Sequence, residues 1–400
     1  MNKKLIIPFA IVAALAVVIL LRACGGSSHL TLSTPEPPAK EPRAELLADS
    51  IALHVYVENS GSMDGYMIPG SRLKDAVFDY VSDLSRLSGS VSLNYINTKV
   101  IPFSGKPEAF IRTLTPASFA KAGGDRSNTD LRQIFRMMLR DKGERDVTLF
   151  VSDCILDVSK ASAKSYFGNT QVSIKNSFGD ALRANPALGV VLLKMRSNFE
   201  GWWYSGPNKE HLTEAERPYY IWLIGDRDLL AELNRRVPPR DIIGGVEEYA
   251  AFAPSEEIAY EADRRDFVPN HSGELRVDLL ADLSGALQEE ETVLNKDFYT
   301  SDNPSEAVLD GIREVAKKGS RYSHVLRLRI LRPETVREGR FTISFPVMPT
   351  WVEASNDDTG ENVSQNMDRT TGILYLVRGV AEAYEAHRDF GTITFTLTNK

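Results

Sequence analysis

In the body of the chain, apolar residues fall first in short unbroken runs and later in alternating ones. Ile51-Ala52-Leu53-His54-Val55-Tyr56-Val57 is a continuous apolar stretch that predicts a buried strand. Leu73, Val77, Tyr80, Val81, Leu84 and Leu87 then recur at helical spacing, and Leu131, Ile134, Phe135, Met138 and Leu139 do so again. Between these two helices, Val91–Ile96 and Lys99–Phe103 predict strands joined by a tight connection. Val147–Val151, Leu188–Leu193 and Tyr219–Ile224 predict three more, and Leu229, Leu230 and Leu233 open a closing helix. Strands separated by helices imply parallel pairing with helices on both faces, and near-continuous Val/Ile/Leu runs fit strands covered on both sides. The expectation for residues 48–240 is therefore an α/β fold with a doubly wound, mainly parallel sheet.

After Pro238-Pro239 the pattern changes. Leu275–Leu279, Val325–Ile330, Phe341–Phe345 and Thr392–Thr396 alternate or cluster β-formers without helices between them, which predicts an antiparallel sheet or sandwich. One helix, about Ile373 to Ala386, interrupts it. Residues 241–400 thus read as a smaller, β-rich, sandwich-like domain with one helix. The stretch from Ala286 to Gly319 mixes acidic and helix-favouring residues and predicts no single element.

The N-terminus is of another kind. Lys3-Lys4 precedes an uncharged, mainly apolar stretch from Leu5 to Leu21, so residues 1–24 read as an export signal or membrane anchor. Leu21-Arg22-Ala23-Cys24 resembles a bacterial lipoprotein processing site, which implies lipidation of Cys24, with Arg22 departing from the usual pattern. An uncleaved span is the alternative, since about 17–25 apolar residues cross a bilayer. Both place the body outside the cytoplasm, in the cell envelope, tethered through the N-terminus. Residues 25–47, rich in Gly, Ser, Pro and Glu, read as an extended linker.

Composition narrows the function classes. At 400 residues, with 42% hydrophobic and 25% charged residues, the chain is long enough for two ordinary globular cores. A formal net charge of −7 argues against a general nucleic-acid binder, which needs concentrated Lys and Arg. With Cys24 lipidated, Cys154 is left alone and follows an apolar strand, as a buried inert thiol would.

The candidate chemistry lies at the ends of the first-half strands. Glu58-Asn59-Ser60-Gly61-Ser62 follows the first strand with one carboxylate and two hydroxyls at alternate positions. In open α/β sheets ligands bind just beyond the carboxyl ends of the strands. Thr129 precedes the second helix in Gly123-Gly124-Asp125-Arg126-Ser127-Asn128-Thr129-Asp130-Leu131, and Asp153 ends the strand Val147–Val151. These are hard oxygen donors of the kind Mg²⁺ takes, with few carboxylates and retained waters. Each residue also has a purely structural role open to it. Ser60, Gly61 and Ser62 suit a tight turn, Thr129 suits a helix N-cap, and Asp153 could bond a loop backbone, with Asp157 a competing acid.

Taken together, the three segments resemble the metal-ion-dependent adhesion site of von Willebrand factor A domains, with Glu58 in the usual Asp position. The resemblance covers about residues 52–237. It implies that Ser60 and Ser62 ligate Mg²⁺ (or Ca²⁺ or Mn²⁺) directly, and Thr129 directly or through water. Glu58 and Asp153 would then hold waters and balance charge. The last coordination position is left for an acidic residue of a protein partner. The implied function is cation-dependent protein binding, with no catalysis and no nucleic acid. A metal-dependent hydrolase at the same site, and a structural envelope protein with a vestigial site, are the alternatives. Enzyme signatures are otherwise poor: the six His residues form no zinc-spaced pair, and no Gly-x-Ser-x-Gly elbow surrounds Ser60 or Ser62. Trp202-Trp203-Tyr204 is expected on the metal-bearing edge as an interface anchor, or packed onto the β-rich domain.

Overall fold

The computed structural model describes residues 29–39, 51–127, 129–140, 142–156, 163–205, 208–316, 320–360 and 363–399. Cys24, Asn128 and Asp157 lie outside them, and with Cys24 the question of lipidation.

A seven-stranded sheet forms one half. Its strands are β2 (Ile51–Glu58), β3 (Ser88–Ile96), β4 (Val100–Phe103), β5 (Asp146–Ser152), β6 (Leu188–Ser205), β7 (Asn208–Asp226) and β8 (Glu248–Phe252), with β1 (Leu30–Ser33) belonging elsewhere. The order across the sheet is β4-β3-β2-β5-β7-β6-β8. Only β3-β2-β5 is parallel; β4, β7, β6 and β8 all join antiparallel. This corrects the expectation of a doubly wound, mainly parallel sheet: the described residues are strand-rich, 36% strand against 31% helix, with mixed and antiparallel sheets. The physical reason is local. Leu188–Leu193 and Tyr219–Ile224 are the inner ends of one long hairpin, paired from Leu188↔Asp226 to Ser205↔Asn208, not two strands separated by a crossover helix.

Helices cover both faces. On one side lie α1 (Arg72–Arg86), α2 (Pro107–Arg112), α3 (Pro116–Lys121) and α6 (Arg227–Arg236), whose Leu73, Tyr80, Phe110, Phe119 and Leu230 share a core with Leu53, Val55 and Val57. On the other lie α4 (Leu131–Leu139), α5 (Ala163–Ala184) and α7 (Ile373–Tyr384), packed on Tyr56, Phe150 and Trp222. The last of these comes from the far end of the chain, and β8 follows residue 240, so late segments complete the first sheet. Gly379 lets α7 approach closely: a Cβ there would stand 2.7 Å from the Gln171 carbonyl of α5.

The other half is an antiparallel sandwich of five and four strands whose core includes Val277, Leu279, Leu328, Ile343 and Phe395. Within the stretch expected to be linker, Leu30–Ser33 forms β1, which pairs with Asp389–Asn399 and buries Leu30 and Leu32 in this core.

Since Leu32 is fully buried, Leu32→Ala should lower stability by about 2–5 kcal/mol in urea denaturation. A change under about 0.5 kcal/mol would mean that β1 adds nothing to the sandwich.

Candidate metal centre

Parallel pairing of β2 and β5, with Val57 opposite Val151, delivers Glu58 and Asp153 to the same edge of the sheet. Both are almost completely buried, as are Ser60 and Ser62. The Ser152 hydroxyl donates to Oε2 of Glu58 and accepts the Cys154 N–H at 2.7 Å, so its orientation is set. The Ser60 and Ser62 hydroxyls are 3.1 Å apart. Burial raises the pKa of both Glu58 and Asp153, and the neighbouring hydroxyls of Ser60 and Ser62 partly oppose it. The structure thus brings together Glu58, Ser60, Ser62 and Asp153.

Thr129 belongs to a loop stapled onto the same turn. The Gly61 N–H bonds the Arg126 carbonyl at 3.3 Å, and Arg126 donates to Asn59 Oδ1 at 2.8 Å, to the Ser60 carbonyl at 3.1 Å and to Asp64. From the neighbouring strand end, Asn97 donates to the carbonyls of Gly123 and Asn59 at 2.9 and 3.4 Å. Gly124 makes this clamp possible. Its φ of +76° suits glycine, and a Cβ would meet Asn97 Oδ1 at 2.0 Å. The N-cap of α4 is Asp130, whose carboxylate accepts the Arg132 N–H at 2.9 Å, so Thr129 does not serve as the cap. Its hydroxyl is buried without a hydrogen bond.

Asp153 is in a similar position. Oδ1 accepts the Ile155 N–H at 3.3 Å, while Oδ2 is buried with no hydrogen bond. The next residue, Cys154, holds φ at +55°, a left-handed conformation uncommon for a residue with a Cβ. Strain of this kind concentrates at functional sites. Cys154 itself is fully buried, accepts the Trp222 indole N–H at 3.3 Å and has its thiol pKa pushed up by burial, as an inert thiol does.

Electrostatically the pocket is short of positive charge. Burial, and then the charge of Asp153, pushes Glu58 up to about 8 from an ordinary 4.5. Burial raises Asp153 too, against the opposing effects of Ser62, the Ile155 N–H and Arg217. Arg217, which sequence reasoning missed, is 1% exposed; it stacks on Trp203 at 3.6 Å and donates to the carbonyls of Asn366 and Arg369. Nothing in Glu214-Ala215-Glu216-Arg217-Pro218 marks it as a buried cation. Arg126 is legible only as part of the Thr129 loop.

Trp203 is buried and Trp202 and Tyr204 lie beside it at the end of β6, within a strand that folds over the 3-10 turn Ser62–Tyr66. Gly65 and Gly201 face each other there, and a Cβ on Gly201 would lie 2.8 Å from Gly65 Cα. The hairpin therefore roofs the first turn of the site instead of packing on the sandwich.

Chemically, this edge offers two carboxylates and the hydroxyls of Ser60 and Ser62, with the Thr129 hydroxyl in the loop stapled to the same turn; Thr129 Oγ1 and Asp153 Oδ2 are buried without a hydrogen bond. That is an oxygen-only donor set suited to Mg²⁺. Among the described residues no three His, Cys, Asp or Glu side chains gather as a metal cluster, so hydroxyls must supply most of any coordination. Comparison with protein-family models, curated proteins and solved structures finds no match to this chain.

The raised pKa of Glu58 has a defined sign. In chelator, the folded state binds a proton that the unfolded state has released, so stability falls as pH rises from about 4.5 through about 8. Glu58→Gln should flatten that slope, gaining on the order of 3 kcal/mol on the wild type between pH 5 and pH 8 in EDTA. Parallel stability–pH curves for the two proteins would contradict the assignment.

Proposed function

We propose that the chain is a divalent-cation-dependent protein-binding module, exported and held at the membrane by its N-terminus. Mg²⁺ sits against the hydroxyls of Ser60, Ser62 and Thr129, with Glu58 and Asp153 accepting its waters and balancing its charge. An acidic side chain of the partner completes the coordination. The observation that carries this reading is the pair of buried, unbonded oxygens, Thr129 Oγ1 and Asp153 Oδ2, on two of the elements expected to supply ligands. Buried polar groups are normally bonded, and leaving one unmade costs about 1–3 kcal/mol. A hydrated cation satisfies both oxygens and favours ionised Glu58 against the proton that burial otherwise makes it hold. On this reading the likeness to von Willebrand A domains lies in the site, carried on a sheet of different wiring. The basic start, apolar stretch and Cys24 support export and tethering; among the described residues no helix is long and apolar enough to cross a membrane.

A structural role with a vestigial site is favoured by one observation, the guanidinium of Arg217, whose charge acts on Asp153. It supplies one positive charge where two carboxylates are buried.

At pH 8, Mg²⁺ at about a hundred times its Kd should stabilise the protein by about 2.7 kcal/mol, read as a rise in Tm over EDTA. Asp153→Asn and Thr129→Val should each abolish the rise, and it should shrink toward pH 5 as Glu58 takes up a proton. A wild-type Tm indifferent to Mg²⁺ at pH 8 overturns the reading in favour of the vestigial one.

A further inference from the structure

The chain is acidic as a whole, yet one cleft is basic. Between α4 and α5 lies an open groove of about 410 Å³ lined by Arg132, Arg136 and Arg140, with Met137 and Ser173 beside them and Asp130 the one acid among the described residues of its wall. The spacing of four puts Arg132 and Arg136 one above the other on the helix, and Arg140, the C-cap just beyond Leu139, also lines the groove. Asp130 engages Arg132 through both carboxylate oxygens at 2.7–3.2 Å, and Arg132 also stacks on Tyr166 at 4.8 Å. Arg136 is exposed and reaches Ser173 at 3.5 Å. Arg140 is exposed at the end of the helix.

The position of the groove matters as much as its charge. Thr129 immediately precedes Asp130, the N-cap of α4, so the arginine row starts at the candidate metal centre and runs away from it. From Arg132 to Arg140 the helix rises about 12 Å, the reach of about four residues of extended chain.

We infer that the partner of the metal site is an acidic, extended peptide segment, one of whose carboxylates meets the cation while those that follow pair with Arg136 and Arg140. This inference rests on the metal-site reading for its first contact and on the groove for the rest. Guanidinium groups suit the recognition because they hold carboxylates in a planar, two-pronged arrangement. Against a net charge of −7 over the chain, this arginine-lined groove is a place that attracts such a segment.

The test uses the full-length chain in detergent and a fluorescein-labelled decapeptide of alternating aspartate and glutamate, with fluorescence anisotropy read in Mg²⁺ and in EDTA. The wild type should bind in Mg²⁺ and weaken in EDTA. The double variant Arg136→Glu/Arg140→Glu should bind at least about tenfold more weakly in either medium, while keeping the wild-type rise of Tm with Mg²⁺. Equal affinity of wild type and double variant overturns the groove and leaves the metal reading standing. Weakening by the double variant with no difference between Mg²⁺ and EDTA upholds the groove and overturns the metal contact. Failure of the wild type to bind the peptide in Mg²⁺ overturns the inference outright, whatever the Tm response.

Discussion

Two carboxylates buried side by side are the constraint around which this edge of the molecule is built. The parallel register of β2 and β5 gives them no choice: with Val57 opposite Val151, Glu58 and Asp153 leave the sheet together. Removing an ion from water costs several kcal/mol even after relaxation, and a like charge alongside adds to that. The surrounding residues answer this cost only in part. Ser152 donates to Glu58, Ile155 and Ser62 act on Asp153, and Arg217 adds one charge from behind. What remains favours a proton on Glu58, whose carboxyl burial pushes up to about 8.

The long β6-β7 hairpin covers the turn that carries this constraint. It runs past the edge where β5 stops, bends at the irregularity between Phe199 and Gly201, and folds onto the Ser62–Tyr66 turn. Tyr66 donates its hydroxyl to the Pro218 carbonyl at 2.6 Å and packs edge-on against Phe199. Arg217 is carried on the same hairpin, clamped between Trp203 and the carbonyls of residues 366 and 369. A crossover helix at this point would have left the first turn open to solvent. The antiparallel wiring that departs from the expected sheet is thus what closes the site and brings its counter-charge.

The contrast explains which parts could be read from the residues. Ile51–Glu58 and Asp146–Ser152 are recognisable because strands covered on both faces show as unbroken apolar runs, and their carboxyl ends carry the polar residues. Their direction relative to Leu188–Leu193 and Tyr219–Ile224 is not written in those runs, since an apolar strand looks the same paired either way. The signal that exists is negative: no helical periodicity separates residue 193 from residue 219. Thr129 stands out by its place before a helix, but the cap belongs to Asp130, and two adjacent candidates cannot be told apart without the backbone. Arg217 carries no signal at all, because a buried cation is defined by what surrounds it. Leu30 and Leu32 alternate correctly for a half-buried strand, but four residues among Pro, Ser and Gly are too few to outweigh their neighbours.

That small strand bears directly on the proposed tether. A linker from residue 25 to residue 47 could hold the body far from a bilayer. With Leu30 paired to Asn399 and Leu32 to Leu397, the chain is already committed to the sandwich by residue 30. If Cys24 carries lipid, only residues 25–29 separate the anchor from the first docked residue, a reach of at most about 20 Å. The sandwich, not the candidate metal edge, would then be the part held next to the bilayer. The late part of the chain reaches the large sheet through β8 on β6, through α7 against α5 and through the carbonyls of residues 366 and 369 on Arg217, so the orientation of that edge relative to the sandwich rests on all three.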